Sequence, residues 1–92
     1  MAIQSVSEFE AVINNVVARI EKALVERGSV PTLEVALRDL QQIYQAARSP
    51  AKLKPLRGLM EKVTDVLGDQ IPGDTLLLER LWDLGDYIDY RA

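Results

Sequence analysis

The chain has no cysteine and no histidine among its 92 residues. Without cysteine there is no disulfide, no thiol nucleophile and no thiolate metal ligand. Without histidine, the commonest general base near neutral pH and the commonest metal ligand are both missing. Ser–His and Cys–His mechanisms and His-ligated zinc are therefore excluded. Small secreted folds usually need disulfide staples, so the composition points to a cytoplasmic chain. Residues 1–10 carry neither the basic region nor the apolar stretch of a secretory signal. No run approaches the ~20 apolar residues of a membrane span, so no membrane partner is expected.

Aromatic residues are scarce: Phe9, Tyr44, Trp82, Tyr87 and Tyr90. Aliphatic side chains must fill the core. What the chain does have is ordinary for a globular protein, with 48% apolar and 27% charged residues, and disordered chains are poorer in apolar residues. The length suits one domain, residues 1–92, and leaves little room for a deep internal cavity.

Every long apolar pattern has the helical period, and strict alternation persists nowhere, so the expected class is all-α. Ser7 and Glu10 have the spacing of a capping box. Phe9, Val12, Ile13, Val16, Val17, Ile20 and Leu24 then fill one arc of about 140°. A first helix over residues 7–27 follows, with Gly28 as its stop. Thr32 is the expected cap of a second helix. Its stripe is Leu33, Ala36, Leu37, Leu40, Ile43, Tyr44 and Ala47, and it ends near Arg48 before Ser49–Pro50. Residues 49–54 read as a connector, and Pro55 fits the first turn of a third helix. Alternatively Pro50 starts that helix and Pro55 sits late in the first turn or kinks it. The third stripe is Leu56, Leu59, Met60, Val63, Val66 and Leu67, with Gly68 as its end.

Residues 68–73 are the strongest turn signal in the chain. Asp74 caps the last helix, whose core seam is Leu77, Leu81, Leu84 and Ile88, all within about 60° of one another. That helix is expected to fray at residues 90–92. Short connections make consecutive helices antiparallel neighbours. The expected architecture is a small four-helix bundle, up-down-up-down, with a short third helix.

Charge is uneven. Residues 49–68 hold Lys52, Lys54, Arg57 and Lys62 against Glu61 and Asp65, a net +2. Residues 69–92 hold Asp69, Asp74, Glu79, Asp83, Asp86 and Asp89 against Arg80 and Arg91, a net −4. In projection, Leu78 and Trp82 share one shoulder of the last helix, with Gly85 between them and the seam and Asp89 alongside. Leu76 and Tyr87 occupy the other shoulder. Two readings of Trp82 stay open: it completes the core against a neighbouring helix, or it is an exposed anchor rimmed by carboxylates. Tryptophan and tyrosine are enriched at binding hot spots because they desolvate much area at little entropic cost. The second reading gives a partner-binding surface of Trp82, Asp83, Asp86, Tyr87, Asp89 and Tyr90.

Two other surfaces carry weaker signals. Ala11, Ala18 and Val25 repeat every seven residues on the back of the first helix, a strip that would suit a homodimer; alanine is also simply the best helix former on an exposed face. Arg48, Lys52, Lys54 and Arg57 cluster at the second connector and would suit phosphates. Nucleic-acid affinity is disfavoured by a net charge of −3 and an isoelectric point near 4.8, because non-specific binding is mostly electrostatic. A helix-turn-helix reader would place Arg57, Lys62 and Thr64 on its recognition helix, but they spread around it.

Catalytic motifs are absent. Asp83, Asp86 and Asp89 advance by about 300° per step and fan across a face instead of forming a ligand cage. No calcium loop or phosphate-cradling glycine loop matches. Paired carboxylates such as Glu79 and Asp83 are expected on the open surface, a poor setting for acid–base work. The expected function is non-enzymatic and needs no cofactor or metal: a small acidic helical adaptor or inhibitor that binds a larger protein partner. The alternatives are a nucleic-acid-associated regulator using the basic connector and a structural homo-oligomer.

Overall fold

The computed structural model describes residues 3–90. Four long helices and one single-turn helix account for almost all of them: α1 (Val6–Arg27), α2 (Pro31–Ala46), the one-turn α3 (Pro50–Leu53), α4 (Arg57–Gln70) and α5 (Thr75–Tyr90). There is no strand among the described residues. The Cα radius of gyration is 12.3 Å, close to the ~12 Å expected of a compact chain of this length.

α1 begins two residues earlier than the Ser7–Glu10 spacing predicts. The motif S-x-x-E occurs twice in succession, and the Ser5–Glu8 frame is the one used. Ser5 Oγ accepts the Glu8 N–H at 3.2 Å, and Glu8 Oε2 accepts the Gln4 N–H at 3.2 Å. The earlier frame extends the helix by half a turn and lets Ile3 fall to 5% exposure at the end of the core. It also leaves Glu10 available to accept from Arg48 at 3.2 Å. Gly28 ends α1 with φ 79° and ψ −164°, a region essentially reserved for glycine. Its N–H closes the last turn on the Leu24 carbonyl at 2.8 Å.

Thr32 does not cap α2. The helix starts at Pro31, whose missing N–H costs nothing in the first turn, and Val30 occupies the cap position with no side-chain bond. Of the two readings for the third helix, both prolines take part. Pro50 opens α3, and residues 54–56 form a 3₁₀ turn around Pro55 that leads into α4. The tighter turn accommodates a proline that lacks a donor and crowds the preceding carbonyls. The stretch read as a connector thus contributes a core residue, Leu53, at 1% exposure.

Gly68 is not the end of α4, which continues to Gln70. A Cβ at Gly68 would stand 3.6 Å from Leu78 Cδ2, so the residue lies inside the helix where α5 comes close. The turn expected over residues 68–73 is confined to residues 71–74, because residues 68–70 continue α4; the Asp74 cap is as the sequence implies. Asp74 Oδ1 accepts the Leu77 N–H at 3.1 Å.

The helices form a closed ring in which α1 touches α2, α2 touches α4, α4 touches α5 and α5 returns to α1. Cross-helix pairs fix their directions. Arg48, just past the end of α2, reaches Glu10 near the start of α1. Arg57, at the start of α4, pairs with Asp89 near the end of α5 at 2.9 Å. Phe9 stacks on Tyr87 with ring centroids 4.5 Å apart, so the start of α1 meets the end of α5. Arg27 at the end of α1 donates to the Gln70 carbonyl at the end of α4. Neighbours in the ring run antiparallel and α1 runs parallel to α4, which is the up-down-up-down bundle. Its core holds Phe9, Ile13, Val16 and Ile20 of α1, Leu33, Ala36, Leu40 and Ile43 of α2, Met60, Val63 and Leu67 of α4, and Leu77, Leu81, Leu84 and Ile88 of α5.

Among the described residues no helix is long and apolar enough to cross a membrane.

Candidate functional site

The seam between α4 and α5 opens into a groove of about 310 Å³. That volume is at the lower end of the ~300–1,000 Å³ typical of ligand sites, enough for one or two side chains. Residues 57, 60, 61, 64 and 65 of α4 form one wall. They recur at three- and four-residue steps and so share one face. The other wall is Leu81, Trp82, Gly85, Asp86, Ile88 and Asp89 of α5. The floor is apolar, made by the outer edges of Met60, Leu81 and Ile88, which are otherwise buried.

Trp82 stands at this groove 66% exposed. The reading in which it completes the core does not hold. Leu78, one turn earlier on the same shoulder, already fills the contact with α4 and packs against the core. Gly85, one turn later, has no side chain to support the indole. A Cβ built at Gly85 would meet nothing within 4 Å, so the glycine is not there to let helices approach. It leaves a gap beside Trp82.

The rim is acidic. Glu61, Asp65, Asp86 and Asp89 face a single cation, Arg57, which spans the groove from α4 to Asp89 at 2.9 Å and also lies 3.9 Å from Glu61. Four carboxylates against one guanidinium leave a net −3, as much as the entire chain carries.

The six residues predicted as a surface are divided by the structure. Trp82, Asp86 and Asp89 come together in the groove. Tyr90 is 82% exposed near the end of α5. Asp83 is half-buried and turns toward α1, lining a separate, smaller pocket with Ile3, Glu8, Val12 and Arg80. Tyr87 does not belong to any open surface. It is only 9% exposed and its ring stacks on Phe9. The reason is the closed ring: the shoulder of α5 that carries Tyr87 faces α1, so a position well off the central seam is still covered.

The α4 half of the groove was not foreseen. Its signal is a charged row at 57, 61 and 65, four residues apart. The basic cluster expected at the second connector does not keep Arg57, which pairs across the groove with Asp89 of α5. Arg48 is likewise held by Glu10. Lys52 and Lys54 remain exposed on and beside α3. On the back of α1, Ala11, Ala18 and Val25 are all exposed, Val25 at 86%. Tyr44 of the α2 stripe is 37% exposed. Arg91, counted among the charges of the C-terminal segment, lies outside the described residues.

A second charged assembly is structural. Asp74 accepts from Arg19 through both carboxylate oxygens, at 3.0 and 2.8 Å, while it caps α5. Burial raises the Asp74 pKa. The Leu77 N–H, the hydrogen bond and charge of Arg19, and the charge of Lys22 together outweigh it, so the pKa lies below the usual 3.8. This assembly ties α1 to the start of α5 and so holds the groove-bearing helix in register.

No family model, curated protein or solved structure matches this chain.

Proposed function

We propose that the chain is a non-enzymatic interaction module, a small acidic helical adaptor or inhibitor that holds a larger protein partner through the α4/α5 groove. The observation that carries this reading is Trp82, largely exposed beside a gap that Gly85 leaves open. An amphipathic ring next to a recess and ringed by polar residues is the arrangement of an interface hot spot, where a few anchors supply most of the binding energy. The charged side chains of the described residues lie at the surface, outside the core, which suits recognition better than acid–base catalysis. The cysteine-free composition favours action in the cytoplasm. Nucleic-acid binding is the weaker reading, since the chain carries a net charge of −3 and non-specific binding is mostly electrostatic.

The test is affinity capture from native lysate, comparing wild type with a Trp82→Ala, Asp86→Lys double variant of equal helical content. One dominant protein retained by the wild type and lost by the variant is the expected result. Capture unchanged by the double substitution would overturn the assignment.

A further inference from the structure

The geometry points to a basic amphipathic helix as the occupant of the α4/α5 groove, and to Arg57 as an internal placeholder for the partner's cations. This inference rests on the reading of the groove as a protein-binding face and gives that partner its chemistry.

Three observations converge. First, the groove lies along the seam of two parallel-sided walls, so a third helix can lie over it with one or two side chains inserted. Its two walls are antiparallel helices, and its α4 wall runs from Arg57 to Asp65, about 12 Å or two turns. Helix-in-groove recognition uses such a channel with apolar anchors at i, i+3 or i+4, and i+7. Second, the apolar floor is short and interrupted by the gap at Gly85, so it takes one or two large anchors beside Trp82. Third, charge selects the rest of the ligand. A net −3 is concentrated on this lining. An acidic or neutral segment would leave those carboxylates repelled or desolvated, whereas lysines and arginines flanking the anchors would pair with them. Complementary charge of this kind sets specificity and the rate of encounter.

Arg57 shows how the site meets a cation. Its side chain is 64% exposed, and it joins α4 to Asp89 across the groove with Glu61 on its own helix nearby. This is the position an incoming arginine or lysine would seek. Arg57 therefore competes with the partner: it neutralises part of the rim in the free chain and must swing aside on docking. Exposed ion pairs are weak, so the displacement is easy.

The experiment uses the full chain, labelled with ¹⁵N, and two synthetic helical peptides of about 18 residues, or five turns. Both probes share the same leucine and phenylalanine stripe. One carries lysine and arginine on its flanks, the other glutamate. At low salt the basic probe should shift the Gly85 amide and the Trp82 indole resonances and bind about tenfold more tightly than the acidic one. The advantage should shrink at high salt. Asp65→Lys with Asp86→Lys should remove it. Arg57→Gln should tighten the basic probe by about threefold, because Asp89 and Glu61 are then uncommitted.

Equal affinity for the two probes, shifts confined to another face, or weaker binding by Arg57→Gln would overturn the inference. Concentration-dependent shifts of Gly85 and Trp82 without peptide would assign the groove to a second copy of the chain and overturn it as well. The outcome is separable from that of lysate capture. A partner lost with the Trp82→Ala, Asp86→Lys variant, combined with probes that bind alike, would retain the interaction module and reject the basic helix.

Discussion

Replacing Gly85 by alanine should make the protein more stable and its groove less useful. Glycine inside a helix is destabilising by roughly 0.5–1 kcal/mol relative to alanine, because it loses more backbone freedom on folding. That loss is normally offset where a side chain would clash. At Gly85 nothing lies within 4 Å of an added Cβ, so no steric penalty subtracts from the gain. For a domain of this size the increment corresponds to a rise in Tm of about 2–8 °C. The same methyl would stand in the recess beside Trp82 and weaken the basic probe by about threefold, by filling the space an anchor needs. Thermal unfolding measures the first effect, and titration followed by Trp82 fluorescence measures the second. A fall in stability would refute the reasoning, since it would mean that the glycine is required by contacts within the bundle. A stabilised variant that binds the probe as the wild type does would show that the recess is not where the anchor sits.

Three further outcomes follow from the same geometry. Trp82→Ala should cost under about 1 kcal/mol, as a mostly exposed side chain does, whereas Tyr87→Ala should cost about 3–4 kcal/mol for a buried aromatic; paired denaturant melts distinguish them, and similar losses would contradict the assignment of one ring to the groove and the other to the core. Because the Asp74 pKa is depressed, the unfolded chain binds the extra proton as pH falls, so the stability this group contributes is present above about pH 4 and lost as pH drops through the lower folded value; Asp74→Asn should flatten the acid limb of a stability–pH profile between about pH 5 and 3, and an unchanged limb would count against it. Gly28→Ala should cost about 1–3 kcal/mol through backbone strain alone, measured by chemical denaturation, since an added Cβ there meets no neighbour.

How far the sequence can be read differs from element to element for physical reasons. The α5 seam is legible because four residues at helical spacing are large and aliphatic, and Leu77, Leu81, Leu84 and Ile88 are all buried. The start of α1 is ambiguous because two identical capping frames lie two residues apart, and only tertiary contacts, the burial of Ile3 and the Glu10–Arg48 pair, favour the first. Pro50 and Pro55 each signal a helix start, and a 3₁₀ turn reconciles them in a way that local pattern cannot foretell. Gly68 carries the sign of a helix stop, but a contact from α5 gives it another role. Trp82 and Tyr87 show the limit most plainly. Both lie on shoulders of α5, off the central seam, and which shoulder is covered depends on where α1 and Leu78 sit. The groove needs two helices to exist, so half of it cannot be found by projecting α5 alone.

The stack of Phe9 on Tyr87 has a kinetic consequence. It joins the beginning of α1 to the end of α5, and closing a loop costs more entropy the longer the chain between its ends. Contacts between helices adjacent in the chain close much shorter loops. The α1/α5 seam is therefore expected to form last during folding and to part first when the bundle fluctuates. Its opening would release the last turns of α5, which carry Gly85, Asp86 and Asp89, while α2 and α4 stay docked. A slow breathing of that seam, on the opposite side of the helix that forms one wall of the groove, would then set how quickly the recess widens to admit an anchor.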